Sequence, residues 1–152
     1  ADIHVRSIAK LNSINCPSKL NSSAIDEFLI IFLVAAKAYG VSKFKDLGEM
    51  NKKESKRLDL AVKFLRLIGI KVQRSGNDIN IHGNPKIMLT KNLEIINFLK
   101  DHRIFFFFFL AALTLGGKWK FNDKKSANTS FPQFLKILKF LGANINWKKE
   151  KI

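Results

Sequence analysis

Charged side chains that suit anion binding occur in three short stretches of this 152-residue sequence. The stretch "DEF" begins at Asp26, "KKESKR" spans residues 52–57, and "DHR" begins at Asp101. Lysine and arginine bind phosphate and carboxylate oxygens, and arginine can hold two such oxygens at once. The combination of acids and cations in these stretches predicts a site for an anionic ligand.

Two of these stretches place cations where a helix is expected to begin. His102 and Arg103 open one predicted helix, and the four cations within residues 52–57 crowd the start of another. A helix N-terminus carries free N–H groups and a partial positive charge, so each cation there costs a few tenths to about 1 kcal/mol. Lys53 and Arg57, four residues apart, would also repel each other on one helix face. A bound anion would reverse both costs, whereas a solvated and screened basic face is the alternative.

The acidic residues of these stretches also have ordinary structural interpretations. Asp26 and Asp101 are each placed to act as the N-cap of a predicted helix, where an aspartate accepts hydrogen bonds from backbone N–H groups. Glu54 would complement the helix dipole in a first turn. On these residues alone, helix capping and anion binding both stand as explanations.

The sequence offers little support for metal or redox chemistry. His4 and His82 lie in predicted strands without cysteine or carboxylate neighbours at metal-binding spacing, so neither is assigned a role and no metal site is predicted. Cys16 is the single cysteine, which excludes a disulfide within this chain. A glycine-rich phosphate loop and a Gly-x-Ser-x-Gly motif are both absent from the sequence.

The net charge of +15 favours an anionic partner, and nucleic acid is the first class to consider. However, lysine supplies 22 of the 27 basic residues, and these are spread through every segment without the aromatic residues that line single-strand binding grooves. The longest apolar runs, residues 28–36 and 104–113, are too short for a membrane helix, and the first residues do not have the pattern of a signal peptide. We therefore expect a cytoplasmic protein, with no membrane partner and with nucleic acid as a secondary hypothesis.

The elements that must position the charged residues follow from the periodicity of apolar side chains. Residues 25–40 and 52–69 are predicted helices, each ending at a glycine. A strand is predicted between them over residues 41–47, and a hairpin follows over residues 70–83. The charged stretches therefore fall at the starts of helices.

The second half of the chain repeats this order. Helices are predicted over residues 100–117 and 129–142, the latter with Pro132 near its start, and strands over residues 118–123 and 143–147. A duplicated helix–strand–helix–strand unit is therefore predicted.

Three pairs of residues mark the duplication, and their separations are 75, 76 and 73 residues: Asp26 and Asp101, Gly40 and Gly116, Gly69 and Gly142. We place the first repeat at residues 26–85 and the second at 86–152. Residues 1–25 are expected to supply strands of an earlier unit.

Four motifs, in their order and spacing, resemble the C-terminal part of the EPSP synthase family of enolpyruvyl transferases: "IDEFLIIFLVAAKAYG", "MNKKESKRL", "DHRI" and "TSFPQF". The stretches "ADIHVRS", "DEF" and "NTSFP" are most similar to the glyphosate-tolerant bacterial class. The resemblance covers essentially the whole chain. It implies an α/β (α+β) fold, the inside-out α/β barrel of repeated β-α-β-α-β-β units, with about two units of an incomplete domain in this chain.

The resemblance also implies a function and a role for each candidate residue. The family transfers the enolpyruvyl group of phosphoenolpyruvate to the 5-hydroxyl of shikimate 3-phosphate, in aromatic amino acid biosynthesis, and uses no cofactor. Asp26 matches the aspartate that accepts a proton, and Glu54 matches a glutamate implicated in proton transfer. The substrate-binding matches are Lys53 for shikimate 3-phosphate, Arg57 and Arg103 for phosphoenolpyruvate, and His102 in support.

Other parts of the family pattern are changed or absent. The family has aspartate where Lys56 stands, and smaller side chains where Phe105–Phe109 stands. The lysine–serine motif and the Gly-Asn-Ala-Gly-Thr-like loop of the family's N-terminal part do not occur here. We expect the chain to need that N-terminal part as its partner and to be inactive alone. The alternatives are a non-catalytic remnant of the enzyme and a basic module that binds anions or nucleic acid.

Overall fold

The computed structural model describes residues 2, 4, 6–95, 100–122 and 125–146. The chain divides into two compact units, unit 1 (Ala1–Leu89) and unit 2 (Thr90–Ile152). Both units contain helices and strands, as the predicted α/β (α+β) class requires. Within the described ranges, no helix is long and apolar enough to cross a membrane.

The described residues of unit 1 form three helices and three strands, in the order α1 (Asn21–Ala24), α2 (Phe28–Ala36), β1 (Val41–Phe44), α3 (Arg57–Leu67), β2 (Lys71–Ser75) and β3 (Asp78–His82). Short 3-10 helices occupy Ser18–Leu20 and Gly48–Lys52. β3 lies between β1 and β2 and pairs antiparallel with both, so the predicted hairpin is confirmed. The strand predicted around His4 includes residues 3 and 5, which lie outside the described residues; His4 itself is not part of a strand.

The core of unit 1 lies between α2 and one face of this sheet. Alternation along the strands buries Phe44, Ile79 and Ile81 on that face. The ring of Phe32 in α2 lies edge-on to that of Phe44, with 5.0 Å between their centroids. The apolar run that forms α2 is therefore a buried helix, and it fixes the position of the turn that precedes it.

Gly83 brings the chain after β3 close to the end of α2. Its N–H donates to the carbonyl of Gly40 at 2.9 Å, and the N–H of Asn84 donates to the carbonyl of Ala36 at 2.8 Å. A Cβ at position 83 would lie 2.6 Å from the carbonyl oxygen of Ala35 and closer still to that of Ala38. Only glycine fits this approach of two backbones.

Unit 2 contains, in order, β4 (Asn92–Ile95), α4 (His102–Leu115), β5 (Lys118–Phe121) and α5 (Phe134–Phe140), with a 3-10 helix at Ser126–Thr129. β4 and β5 pair in parallel. The prediction of a strand over residues 143–147 is wrong for 143–146, which pair with no strand in the described chain; residue 147 lies outside the described residues. Pro132 precedes α5, whose N-cap residue is Gln133.

The phenylalanine run packs inside unit 2 as the sequence predicted. All of its rings except the half-buried Phe106 are buried. Phe106 lies 4.5 Å from Phe134 of α5, and Phe109 lies 4.7 Å from Phe121 of β5, measured between ring centroids. Side chains that are apolar all round a helix are typical of a buried helix. These rings are core, and they position the start of α4.

α3 and α5 end in the same hydrogen-bond pattern. The N–H of Gly69 donates to Arg66 at 3.0 Å, and the N–H of Gly142 donates to Lys139 at 3.1 Å. In each case the next residue donates to the carbonyl five positions before it, at 2.9 Å. Both glycines have positive φ, +91° and +96°, as this helix ending requires. The two helix ends are equivalent, while the exact bounds of the two repeats stay a prediction.

Candidate functional site

Asp26 lies in the turn between α1 and α2. The N-cap residue of α2 is Glu27, and no side-chain hydrogen bond caps that helix. Asp26 Oδ1 accepts a hydrogen bond from Arg57 Nη1 at 3.0 Å, and Lys53 Nζ lies 3.8 Å from the same oxygen. The predicted capping role of Asp26 is therefore wrong, because its carboxylate points towards the cations of the "KKESKR" stretch.

Arg57 is the first residue of α3, and its side chain is only 2% exposed. Nη1 donates to Asp26 and Nη2 donates to Glu54 Oε2. The two carboxylates remain 38% and 56% exposed. A buried guanidinium requires such partners, because taking an unpaired charge out of water costs several kcal/mol. Arg57 is thus held by two acids that both reach the surface, and it keeps those acids beside each other.

α3 begins five residues later than the sequence predicted. Lys53 and Glu54 lie in a non-helical segment between the 3-10 helix Gly48–Lys52 and the first residue of α3. Lys53 and Arg57 therefore do not repel each other on one helix face, and both lie next to Asp26 instead. Lys56 occupies the N-cap position of α3 without a side-chain hydrogen bond.

Asn51 caps the start of α3 from eight residues away. Its Oδ1 accepts a hydrogen bond from the N–H of Asp59 at 3.2 Å, and its Nδ2 donates to Asp59 Oδ1 at 2.8 Å. Arg74 Nη1 donates to the same carboxylate at 2.7 Å, and these hydrogen bonds, first that from Arg74, lower the pKa of Asp59. The hydrogen bonds between Asn51 and Asp59 join the 3-10 helix to α3, so they hold both ends of the segment that carries Lys53 and Glu54. Sequence reasoning missed Asn51, because capping signatures span three residues and not eight.

His102 and Arg103 form the first turn of α4 in unit 2, and both are half-buried. The helix is capped by Asp101, which is completely buried and whose Oδ1 accepts from the N–H groups of Arg103 at 3.0 Å and Ile104 at 3.4 Å. The predicted cap is therefore confirmed. The ring of His102 lies edge-on to Phe106, with 6.1 Å between the centroids. Both residues thus begin a helix whose cap and core are well defined.

Four of the predicted site residues meet in unit 1, and we call them the Arg57 cluster: Asp26, Lys53, Glu54 and Arg57. Two carboxylates and two cations give the cluster no net formal charge. Carboxylates can accept and return protons, while adjacent cations stabilise negative charge on a ligand. No group of three or more histidine, cysteine or carboxylate residues in the described chain is arranged to hold a metal ion.

A shallow groove of about 510 Å³ lies on unit 1 outside the Arg57 cluster. It is lined by Asp46, Gly48, Glu49, Asn51, Lys52 and Asn77. None of the predicted site residues lines it. The groove therefore adds no candidate to the site.

Comparison with known proteins gives one family. Residues 5–138 match the family model described as EPSP synthase (3-phosphoshikimate 1-carboxyvinyltransferase). The curated protein named 3-phosphoshikimate 1-carboxyvinyltransferase from Paramagnetospirillum magneticum is 32% identical over 96% of this chain. That from Ruthia magnifica is 34% identical, also over 96%. The chain spans only about a third of these relatives, 32% and 33% of their lengths.

Solved structures agree with this result. EPSP synthase from Acinetobacter baumannii superposes with a TM-score of 0.79 at 27% identity, covering 92% of this chain and 32% of that one. The enolpyruvyl transferase NikO from Streptomyces tendae gives a TM-score of 0.61 at 17% identity, covering 91% of this chain and 30% of that one, and so shows a likeness of fold alone. The fold class predicted from the sequence is confirmed.

Proposed function

Because this chain belongs to the EPSP synthase (3-phosphoshikimate 1-carboxyvinyltransferase) family, we propose that it is the C-terminal segment of an enzyme that transfers the enolpyruvyl group of phosphoenolpyruvate to the 5-hydroxyl of shikimate 3-phosphate. The chain spans 32% of the length of its Paramagnetospirillum relative. The N-terminal part of the same enzyme supplies the rest of the site, and this chain alone is inactive. A cytoplasmic location, the absence of a cofactor and the glyphosate-tolerant class belong to the same proposal.

The observation that carries this proposal is that two carboxylates, those of Asp26 and Glu54, accept hydrogen bonds from the buried guanidinium of Arg57. The reaction removes a proton from a hydroxyl and adds one to the methylene carbon of phosphoenolpyruvate, so it needs two proton-handling groups. Both substrates are highly anionic, so it also needs nearby positive charge. The Arg57 cluster meets both needs. Asp26 accepts from Nη1 of Arg57 and Glu54 accepts from Nη2, while Lys53 lies beside Asp26.

In the proposed mechanism Asp26 accepts the proton of the 5-hydroxyl as that oxygen bonds to the substituted carbon of phosphoenolpyruvate. Lys53, 3.8 Å from Asp26 Oδ1, places positive charge beside the reacting oxygen of shikimate 3-phosphate. Glu54 takes up a proton from solvent once the ligand has displaced it from Arg57, and gives this proton to the methylene carbon. The resulting methyl group then returns one proton to Glu54, and phosphate leaves with the proton that Asp26 had accepted, which restores the double bond and balances atoms and charge.

Arg57 can reach a ligand only by exchanging one of its partners. Its side chain is 2% exposed, whereas that of Glu54 is 56% exposed. A phosphate or carboxylate oxygen of phosphoenolpyruvate would therefore replace Glu54 at Nη2 and release that carboxylate for proton transfer. For Arg103 and His102 of unit 2, the roles that the family resemblance implies, phosphoenolpyruvate binding and support, stay predictions. Substrate binding and the availability of Glu54 are thus coupled.

Phosphate release from shikimate 3-phosphate and phosphoenolpyruvate tests the proposal. The chain is assayed alone and with a complement, the part of the Paramagnetospirillum enzyme that this chain does not match. We expect no release alone, release with the complement, and a loss of about 10²- to 10⁴-fold for Asp26→Asn. Asp46→Asn, at an exposed carboxylate outside the Arg57 cluster, is the matched control and should change nothing. A complex that forms but releases no phosphate would overturn the proposed activity.

Lys56 favours a second candidate, a non-catalytic remnant of the enzyme. It is an exposed cation that precedes Arg57 and occupies the N-cap position of α3, where its side chain makes no capping hydrogen bond. If the complemented natural chain is inactive and Lys56→Asp restores phosphate release, the remnant is the correct interpretation. Binding of duplex DNA that survives physiological salt would instead favour a basic nucleic-acid module.

A further inference from the structure

Two members of the Arg57 cluster, Lys53 and Glu54, lie on a short loop that forms neither helix nor strand. We call residues 53–56 the cluster loop. In the proposed mechanism a ligand displaces Glu54 from Arg57, so the hydrogen bond between these two side chains cannot hold the loop while the proton is transferred. The position of the loop backbone during the reaction therefore depends on contacts from outside the cluster.

Asn51 and Asp59 hold the two ends of the cluster loop together. Asn51 lies in the 3-10 helix before the loop, and Asp59 lies in the first turn of α3 after it. Asn51 Nδ2 donates to Asp59 Oδ1 at 2.8 Å, and the N–H of Asp59 donates to Asn51 Oδ1 at 3.2 Å. An acid in the first turn of a helix is ordinarily explained by the helix dipole alone. These two hydrogen bonds fix the orientation of the residues as well as their separation, so Asp59 does more than complement the dipole.

Arg74 joins Asp59 to the hairpin of β2 and β3. Its Nη1 donates to Asp59 Oδ1 at 2.7 Å, and its Nε donates at 2.8 Å to the carbonyl of Gly76, in the turn of the hairpin. A guanidinium is planar and rigid, so these two bonds fix the carboxylate relative to the turn. The pKa of Asp59 is lowered, mainly by the hydrogen bond from Arg74, so the carboxylate is ionised near neutral pH and accepts from both Arg74 and Asn51.

The same turn holds the chain that enters the 3-10 helix. The N–H of Leu47 donates to the carbonyl of Asn77 at 3.1 Å, and the N–H of Asp46 donates to Asp78 Oδ1 at 2.9 Å. The hairpin thus contacts the chain on both sides of the cluster loop, directly before the 3-10 helix and, through Arg74, at the start of α3. The loop therefore spans two points that one hairpin fixes.

We propose that Asn51, Asp59 and Arg74 are positioning residues for the reaction, which keep the cluster loop in place while Glu54 exchanges Arg57 for a ligand. The inference rests on the proposed function, because it concerns the rate of that reaction. A displacement of about 1 Å at a reacting group can cost on the order of a hundredfold in rate. The side chains of Arg74 and Asp59 are 28% and 43% exposed, so their ion pair contributes little to stability. A large effect on rate with a small effect on stability is therefore the signature of the proposed role.

The first experiment measures kcat for phosphate release by the chain with the same complement. Asn51→Ala and Asp59→Ala should each lower kcat by about tenfold or more, because each change frees the ends of the cluster loop from each other. The double variant should lose much less than the product of the two single losses, since both changes break the bond between the same two side chains. Asp59→Asn keeps an acceptor oxygen and should recover part of the rate. Losses that multiply in the double variant would show that the two residues do not act through each other, and the inference would be overturned.

Arg66→Met and Arg74→Met form a matched pair that separates positioning from stabilisation. Arg66 also joins α3 to β2, because its Nε and Nη2 donate to the carbonyl of Val72, but it lies about 14 Å along the helix from Arg57. Both changes should lower the urea midpoint by similar amounts. Arg74→Met should also lower kcat severalfold, whereas Arg66→Met should leave kcat unaltered. Equal losses of kcat in the two variants would mean that the contacts are structural only, and the inference would be wrong.

The amide of Arg57 gives a readout that does not need activity. Its N–H donates to the carbonyl of Ser55, in the cluster loop, at 2.8 Å. Hydrogen exchange at this amide, measured by NMR, should become faster in Asn51→Ala and Asp59→Ala and should not change in Arg66→Met. Unchanged exchange in the two alanine variants would show that the loop does not depend on these residues, which rejects the inference.

The inference and the proposed activity fail in different ways. Phosphate release that both alanine variants leave undiminished supports the activity and rejects the positioning role. If the complemented natural chain releases no phosphate, the activity is rejected. The exchange measurement then decides whether Asn51 and Asp59 hold the cluster loop, and faster exchange in their variants supports that role.

Discussion

Asp26 and Asp101 occupy matching places before the first long helix of each repeat, but their carboxylates make different contacts. Asp101 is completely buried and accepts two backbone hydrogen bonds at the start of α4. Asp26 is 38% exposed and contacts Arg57 and Lys53, while α2 begins without a side-chain cap. Unit 1 thus forgoes a cap worth about 1 kcal/mol and keeps a carboxylate available at the surface. The comparison teaches that an aspartate at matching places in two units can cap a helix in one unit and pair with cations in the other.

The largest expected effect comes from removing the two acids of the Arg57 cluster. Asp26→Asn combined with Glu54→Gln removes both charged partners of a guanidinium that is 2% exposed. We expect a loss of about 3 to 5 kcal/mol in the free energy of unfolding, the cost of leaving a buried charge uncompensated. Urea denaturation measures it, with Asp46→Asn combined with Glu49→Gln, two exposed acids outside the cluster, as the control pair. Equal stabilities for the two double variants would mean that Arg57 does not depend on these acids.

A smaller effect is expected at the start of α4. Asp101→Ala removes the acceptor of two backbone hydrogen bonds and should lower the free energy of unfolding by about 0.5 to 2 kcal/mol. Amide exchange should become faster in the first turn of α4. Asp26→Ala should leave amide exchange in the first turn of α2 unchanged, since the N-cap residue of α2 is Glu27 and not Asp26. Faster exchange in both helices would contradict the distinction between the two aspartates.

Lys56→Asp should give α3 an aspartate at its N-cap position, as α4 has in Asp101. An aspartate at the N-cap position can accept from the first-turn N–H groups and removes a cation from the positive end of the helix. Because Asn51 already accepts from the N–H of Asp59, we expect a gain of only about 0.5 kcal/mol. The urea midpoint is the measurement, and Lys63→Asp, in the interior of α3, is the control that should not stabilise the chain.

The smallest expected effect is a change in the stability of the fold with pH. The pKa of Asp59 lies below its ordinary value of 3.8, mainly because of the hydrogen bond from Arg74, so the folded state favours the ionised carboxylate. Its contribution to stability is present above pH 3.8 and is lost as the pH falls through the lowered pKa. The difference in urea midpoint between the natural chain and Asp59→Asn should therefore be constant near neutrality and shrink on acidification below 3.8. A difference that grows with acidification would have the wrong sign.

The elements that the sequence predicted well are those whose signals are local. Apolar periodicity located the long helices, and "SGN" between two alternating runs located the hairpin of β2 and β3. The cap of α4 by Asp101 was also predictable, because an aspartate two and three residues before its N–H partners is a local pattern. Composition and spacing suffice where the interacting groups are near one another in the chain.

The elements that the sequence did not predict depend on distant partners. The turn of Asp26 towards Arg57 joins residues 31 apart, and the cap from Asn51 to Asp59 joins residues eight apart. β4 was missed, and residues 143–146 were wrongly assigned to a strand, because a strand is defined by its neighbour as much as by its own residues. The composition of the Arg57 cluster was predictable from the family motifs, but its geometry was not.

Gly83 makes the position of the Arg57 cluster depend on a residue that carries no charge. A single methyl group at that position would meet the carbonyl oxygens that end α2, and the turn carrying Asp26 lies at the other end of the same rigid helix. Relief of the clash would tilt that helix and displace the carboxylate of Asp26, which is remote from Gly83 in the sequence. A glycine-to-alanine change at this position would therefore disturb the Arg57 cluster while every charged residue of the motifs is still in place.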